Sequence, residues 1–300
     1  VSATDSTPPW RHPLLLLLLL GNLWGLSFSL SKLAVTGGIH PFAYIWMQST
    51  GATLFLFLLC RRSGVRIPTS RRHLLLYAVT GTAGMVLPSI TIVTAALHLP
   101  AGIISTLVTT VPMMTFGLAV ATGMQRFDWI AFAGLALGLI GVLFLVLPDS
   151  SLPSAEMVPW VLFGMLTPAF YAINGVMAAR LRPPGTSSLA AALGMVATAS
   201  IASLPIMLAL GVFHPLFATG LAIHDLAMAG QIAVTCVAYI MYFEIIERAG
   251  PVYVSQVSYV VNVSGLFWGF AIFAEVPSPW LWATVLFVLA GVYLVNRRIR

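Results

Sequence analysis

Ten times along this chain an apolar run of about twenty residues passes with at most one charged side chain inside it. At 1.5 Å per residue a helix of that length matches the ~30 Å hydrocarbon core of a bilayer. In lipid the backbone must satisfy its own hydrogen bonds, which leaves helices or closed barrels as spanning structures, and runs this long read as helices. The runs fall near 14–36, 41–60, 74–97, 101–122, 127–147, 157–179, 187–211, 226–246, 251–274 and 279–296, separated by breakers such as Gly37-Gly38, Pro68, Pro100, Pro148, Pro183-Pro184, Gly250-Pro251, Pro277 and Pro279. The 300 residues are 59% hydrophobic and 7% charged, against about 25% charged in soluble domains. Ten crossings leave no room for a soluble domain.

The first run opens like a secretory signal, with Arg11 ahead of Leu14 to Leu20. No small-residue cleavage pattern follows, and the apolar stretch continues through Trp24 and Phe28, so it reads as a retained helix. The two cysteines, Cys60 and Cys236, fit no metal or disulfide spacing and read as small core residues.

The bases set the expected orientation. Thirteen of the 14 fall in alternate connections or at the ends: Arg11; Arg61, Arg62, Arg66, Arg71 and Arg72; Arg126; Arg180 and Arg182; Arg248; Arg297, Arg298 and Arg300. The other connections hold Asp149, Glu156, Asp225 and Glu275. By the positive-inside rule this predicts an all-α membrane protein of ten transmembrane helices with both termini cytoplasmic; the expected location is the cytoplasmic (inner) membrane.

Sliding the chain by 150 places Gly141-Val142 on Gly291-Val292, Ser105 on Ser255, Gln125 on Glu275 and Ala133 on Ala283; a slide of 143 places Gly21 on Gly164, Phe28 on Tyr171, Pro41 on Pro184 and Gly51 on Gly194. The expectation is two five-helix repeats, 1–150 and 151–300, forming one transport domain. Because five is odd, the second copy runs through the membrane in the opposite sense, the inverted-topology repeat of many secondary transporters.

Polar side chains at helical spacing mark the faces that could meet water. In the ninth run Ser255, Ser258, Tyr259 and Asn262 fall within an arc of about 100°. Gln231, Thr235, Tyr239 and Tyr242 share about 80° of the eighth, and Thr167, Tyr171 and Asn174 share a similar arc of the sixth. The fourth aligns Ser105, Thr109, Pro112 and Phe116; the third aligns Tyr77, Thr80, Gly81, Gly84, Pro88, Thr91 and His98. Ser, Thr and Gly at such spacing also serve tight helix packing. Amides and tyrosines in hydrocarbon need water or partners. The candidate substrate-binding residues are Trp24, Pro88, Thr91, Thr109, Tyr171, Asn174, Tyr239, Tyr242, Ser255, Tyr259 and Asn262.

Other residues have simpler readings. Lys32 lies near the outer end of the first run and is expected to snorkel. Glu244, close to Glu247 and Arg248, reads as a local ion pair or a solvated helix end, with a proton site as the alternative. Pro88, Pro112, Pro168 and Pro205 free backbone carbonyls, either as hinges or to shape the bundle. Trp24 stays open between stacking on a solute and packing.

The run Gly21-Asn22-Leu23-Trp24-Gly25-Leu26-Ser27-Phe28 resembles the tryptophan-glycine opening of the EamA-type drug/metabolite transporter superfamily. Glu275 and the closing Gly291-Val292-Tyr293-Leu294 resemble its repeat ending. The chain departs from that pattern at Gln125, which stands at the first-half position of the Glu, and at Thr167-Pro168, which replaces Trp24-Gly25 in the second half. The resemblance implies a basket-like bundle with a central cavity, exporting small metabolites by alternating access. Within the family the chain is most similar to amino-acid exporters, including those for aromatic amino acids; drug-like cations or other metabolites are the alternative cargo.

No acidic residue lies near the expected midplane, which suggests uniport or exchange, with proton coupling through Glu244 or Glu275 left open. Paired histidines with a glutamate on one helix face, paired intramembrane Asp and a phosphate-binding Gly-rich loop with Lys do not occur, so the chain does not read as an enzyme or pump. A membrane-embedded transferase using a loop His or Asp is the remaining enzymatic alternative. A passive channel would show a selectivity ring or pore loop. The reading expects no cofactor, no metal and no nucleic acid; its partners are a small-molecule substrate and membrane lipid, and the protein is expected to act as a monomer.

Overall fold

The computed structural model describes residues 12–96, 98, 107–146, 158–217 and 220–273, with 286, 287, 290, 291, 293 and 294 beyond them. Ser105, Glu275 and most of the tenth apolar run lie outside the described residues.

The described chain is helical: α1 (Pro13–Thr36), α2 (Pro41–Arg62), α3 (Arg71–Gly81), a π-helical turn (Thr82–Val86), α4 (Leu87–Ala96), α5 (Val111–Ala121), α6 (Trp129–Val146), α7 (Val158–Gly164), α8 (Leu166–Leu181), α9 (Ser188–Ala209), α10 (Ile223–Ser255) and α11 (Val257–Phe273). Among the described residues, six helical spans are long and apolar enough to cross a membrane and three shorter ones are apolar. Local sequence explains the starts. α1 and α2 begin at His-Pro pairs, where the proline fills N1 and the preceding His12 or His40 ring nitrogen accepts the amide of Leu14 or Phe42, each at 3.3 Å. Asp128 caps α6 by accepting the amides of Ile130 and Ala131 at 2.7 and 2.9 Å.

Proline explains the breaks. A proline has no N–H for the carbonyl four residues back and its ring clashes with that carbonyl. Pro88 aims this defect at Gly84, the middle of the π-helical turn. For Pro168 the affected carbonyl is Gly164, the last residue of α7 before the interruption at Met165. Pro112 sits at the start of α5, just after the turn at Thr109-Thr110. Pro251 follows Gly250, whose φ of 82° and ψ of 176° kink α10. Pro205 differs, because α9 runs through it. The break expected between the eighth and ninth runs is thus present at Gly250-Pro251, where α10 is two helical pieces joined at a non-helical residue, and the ninth run is interrupted again at Gln256.

Packing between the halves is reciprocal. α1 lies against α10 and α11, while α8 lies against α3, α4 and α5, and α2 pairs with α9. Small residues set these approaches. A Cβ at Gly25 would lie 2.1 Å from Ser264 Oγ, and one at Gly21 would lie 2.5 Å from Val260 Cβ. Ser264 uses that proximity to donate to the Gly21 carbonyl at 2.8 Å. Thr50 and Ser200 share a 2.6 Å hydrogen bond between α2 and α9. Cys60 and Cys236 are free and buried in the core. Large side chains such as Leu58, Ile201 and Leu208 stay exposed, as a lipid-facing surface requires.

The arginine-bearing connections gather at one end. His73 Nε2 meets Thr186 Oγ1 at 3.0 Å, and Met124 to Asp128 share a depression with Ala249 to Tyr253. At the opposite end the α1–α2 turn packs on the start of α10, where a Cβ at Gly37 would lie 2.4 Å from His224 Cβ.

Candidate functional site

The helix breaks surround a cavity of about 230 Å³ between α1, the π-helical turn, α5, α8, α10 and α11. Pocket volumes for drug-sized ligands run about 300–1,000 Å³, so this space suits a smaller solute. Trp24, Tyr239 and Tyr242 form its aromatic wall. Their ring centroids lie 5.9 Å (Trp24–Tyr239), 5.8 Å (Trp24–Tyr242) and 6.2 Å (Tyr239–Tyr242) apart, with Tyr239 and Tyr242 edge to face. Gly25 explains the aim of Trp24: close approach of α1 to α11 through Gly21 and Gly25 places the neighbouring indole on the cavity side.

Amides occupy the polar part of the wall. Asn174 Nδ2 donates to the Tyr242 hydroxyl at 2.8 Å, and Gln231 Nε2 donates to Gln48 Oε1 at 3.2 Å and Thr235 Oγ1 at 3.4 Å. Gly84 makes room for Asn174, since a Cβ there would lie 2.6 Å from the amide carbon and oxygen. Three buried polar atoms of the lining, Ser27 Oγ, Asn174 Oδ1 and Gln231 Oε1, have no protein partner. Each such atom costs roughly 1–3 kcal/mol unless water or a solute meets it. Among the described residues the lining contains no Asp, Glu, Lys, Arg or His.

Six of the eleven candidate residues meet at this cavity: Trp24, Tyr171, Asn174, Tyr239, Tyr242 and Ser255. The other five lie elsewhere. Thr91 Oγ1 bonds Thr167 Oγ1 at 2.6 Å, tying α4 to α8. Thr109 is fully buried away from the lining, and Pro88 acts on the wall through the backbone defect that opens the π-helical turn. The Tyr259 hydroxyl turns to α6 and donates to the Leu135 carbonyl at 2.8 Å. Asn262 Nδ2 donates back to the Ser258 carbonyl at 2.8 Å.

Other lining residues escaped the polar-face test. Val108, Val111, Val257 and Val261 face the cavity with Thr115, and valine carries no polar signal; Ser258, which the polar arc of the ninth run did include, lines it with them. The 150 slide does relate them, pairing 108 with 258 and 111 with 261, while the 143 slide pairs Phe28 with Tyr171, both in the lining. Gln48, the one amide side chain in the second run, could have been found as an amide in a spanning helix.

Outside the cavity, Arg182 organises the arginine-bearing end. Its guanidinium donates to the carbonyls of Thr186 and Phe243, each at 2.6 Å, and to Ser188 Oγ at 3.1 Å, and it pairs with Glu247 at 2.7 Å. Burial lowers its pKa from the ordinary arginine range, against the Glu247 and Glu244 carboxylates that favour the charged form. Glu244 pairs with Arg248 one turn away and accepts from Ser188 at 2.8 Å, the local ion pair expected of it. Lys32 places its ammonium 4.3 Å from the Phe273 ring centre, a cation–π contact near the end of α1.

Fold and cavity together define a multi-pass helical membrane protein with a solute-sized chamber between packed halves. The EamA-like transporter family model matches twice, over residues 12–147 and 158–297, and the chain belongs to that family of membrane transporters. A solved protein crystal structure superposes with a TM-score of 0.77 at 16% identity, over 96% of this chain and 98% of its own, a likeness of fold. No match is found among the curated proteins.

Proposed function

We propose that the protein carries small amphipathic metabolites, above all amino acids including aromatic ones, out of the cell across the inner membrane by alternating access, as uniport or exchange. The observation that carries this reading is the juxtaposition in one chamber of an aromatic wall with three unmet polar atoms, on Ser27, Asn174 and Gln231. An aromatic or aliphatic side chain finds ring faces there, an ammonium group finds the amide oxygens and π faces, and the amide and hydroxyl donors serve a carboxylate. The halves, read as inverted repeats with both termini cytoplasmic, would rock about the chamber, with the breaks at Pro88, Pro112, Pro168 and Pro251 as the points of flexure.

Counterflow tests the reading. Proteoliposomes preloaded with mixed amino acids and given labelled phenylalanine, threonine or lysine without an ion gradient should accumulate label, phenylalanine most. A second reading, export of organic cations, is favoured by the five aromatic rings of Trp24, Phe28, Tyr171, Tyr239 and Tyr242 in the lining. Counterflow of a lipophilic cation with none of the amino acids, in vesicles shown to hold inserted protein, would replace the first reading with the second.

A further inference from the structure

At the end of the molecule opposite the arginines, three side chains far from the chamber converge. We propose that His214, His224 and Asp225 form a three-ligand site for a divalent transition-metal ion of the zinc type. Their ligand atoms lie within 4.8 Å of one another, and they are the one His/Cys/Asp/Glu group of this kind among the described residues. His214 Nε2 is 3.3 Å from Asp225 Oδ1, and His224 Nε2 is 3.7 Å from the same oxygen. Around a tetrahedral zinc with bonds of 2.0–2.2 Å, neighbouring ligand atoms stand roughly 3.3–3.6 Å apart. Two edges of the tetrahedron are therefore nearly in place, and rotation of the imidazoles closes the third.

The surroundings fit a ligand set. The Asp225 side chain is 1% exposed, whereas the His214 and His224 side chains are 27% and 19% exposed, so the carboxylate is held inside while the imidazoles border solvent and leave an entry path. The second carboxylate oxygen accepts the Phe217 amide at 3.0 Å, the kind of outer contact that orients a ligating carboxylate. Phe217 is the one described non-glycine residue with positive φ, at 59°, so the loop after α9 takes an unfavourable backbone conformation to present this contact. Two nitrogens and one carboxylate oxygen suit zinc, cobalt or nickel better than calcium or magnesium. The fourth position is left for water.

The bound ion joins the loop after α9 to the first turn of α10, on which the α1–α2 turn also rests through Gly37 and His224. Six residues along the same helix, Gln231 reaches the chamber. The site is thus placed to fix the opposite end of the bundle in one arrangement.

The test uses the full chain, purified in detergent with any histidine tag removed and stripped with a chelator. Zn²⁺ titration by calorimetry is expected to give one ion per chain at micromolar Kd or tighter, and Co²⁺ is expected to give the visible absorption of a low-symmetry four-coordinate site. His214→Gln and His224→Gln should each weaken binding at least tenfold and abolish the cobalt bands, while Asn174→Ala leaves both unchanged. Asp225→Asn keeps an oxygen for the Phe217 amide, so it should stay folded by size exclusion and still lose affinity. Absence of binding below 100 µM Zn²⁺, or unchanged affinity in the His214→Gln/His224→Gln double variant, overturns the assignment.

Discussion

Asn174 on α8 and Tyr242 on α10 meet through a 2.8 Å hydrogen bond in which the amide donates to the phenol, leaving the amide oxygen without a protein partner. The bond crosses the chamber wall, and a hydrogen bond of this type contributes about 1 kcal/mol. Tyr242→Phe should lower counterflow by about fivefold, the equivalent of that energy, and Asn174→Ala by more, because the unmet oxygen is also lost. Initial rates at equal amounts of inserted protein check this; wild-type rates in both variants would remove the pair from the transport path.

The glycines of α1 should be unequal to glycines elsewhere. Gly25→Val forces side-chain carbon into Ser264 Oγ and the Gly265 amide, 2.1 and 2.7 Å from the Cβ position, so α1 and α11 must separate. Loss of monodisperse protein in detergent is expected. Gly117→Ala meets no atom within 4 Å in α5 and should raise thermal stability slightly, by up to ~1 kcal/mol, since alanine is the better helix former. Thermal unfolding of the two variants side by side decides the matter.

Pro88→Ala restores the missing N–H and removes the clash at Gly84. The π-helical turn should then close toward regular helix, moving Gly84 and Met85 out of the chamber wall. Stability should rise, with an upper bound of ~3 kcal/mol for an interior helix proline, while counterflow falls. A variant that is both unstable and fully active would contradict this account.

Tyr259→Phe removes only the bond to the Leu135 carbonyl. A cost of about 1 kcal/mol in stability with unchanged KM is expected, whereas Tyr239→Ala, in the aromatic wall, should raise KM. Equal KM effects of the two would put Tyr259 back among the lining residues.

Arg182→Lys keeps the charge but loses the planar fork that reaches two carbonyls, Ser188 and Glu247 at once. Destabilisation on the order of 3 kcal/mol is expected, because the carbonyls of Thr186 and Phe243 lose their charged donor. Denaturation midpoints in matched detergent measure it, and a loss under ~0.5 kcal/mol would show that water replaces the guanidinium.

The membrane class and helical fold were legible because apolar length and proline or glycine punctuation are local properties. The helix breaks were half legible: Pro88, Pro112 and Pro168 stood out as sites of bending, but nothing local distinguished them from Pro205, which α9 tolerates. The chamber lining was legible where polarity marks the wall, as at Tyr171, Asn174, Tyr239 and Tyr242. On the fourth run a continuous 100° rotation put Thr109 on the cavity face, and on the ninth it put Tyr259 and Asn262 there with Ser255 and Ser258, of which only the two serines line the chamber. The other chamber-facing positions there, Val108, Val111, Val257 and Val261, are valines beside the interruptions at Thr109-Thr110 and Gln256. His214 and His224 are ten residues apart across a turn, a spacing that follows no helical or metal-ligand pattern and becomes meaningful only once the loop folds back on Asp225.

The uncharged lining also has an electrical consequence. An elementary charge moved across the full membrane potential gains or loses about 2.3 kcal/mol per 100 mV. In the proposed alternating-access cycle the described residues of the chamber wall carry no formal charge and contribute nothing to that work. Under the proposed export, as uniport or exchange without a coupled ion, the cargo's own charge then sets the voltage sensitivity: a zwitterion leaves at a rate indifferent to membrane potential, and a cation leaving a cell with a negative interior climbs the field with no help from this wall.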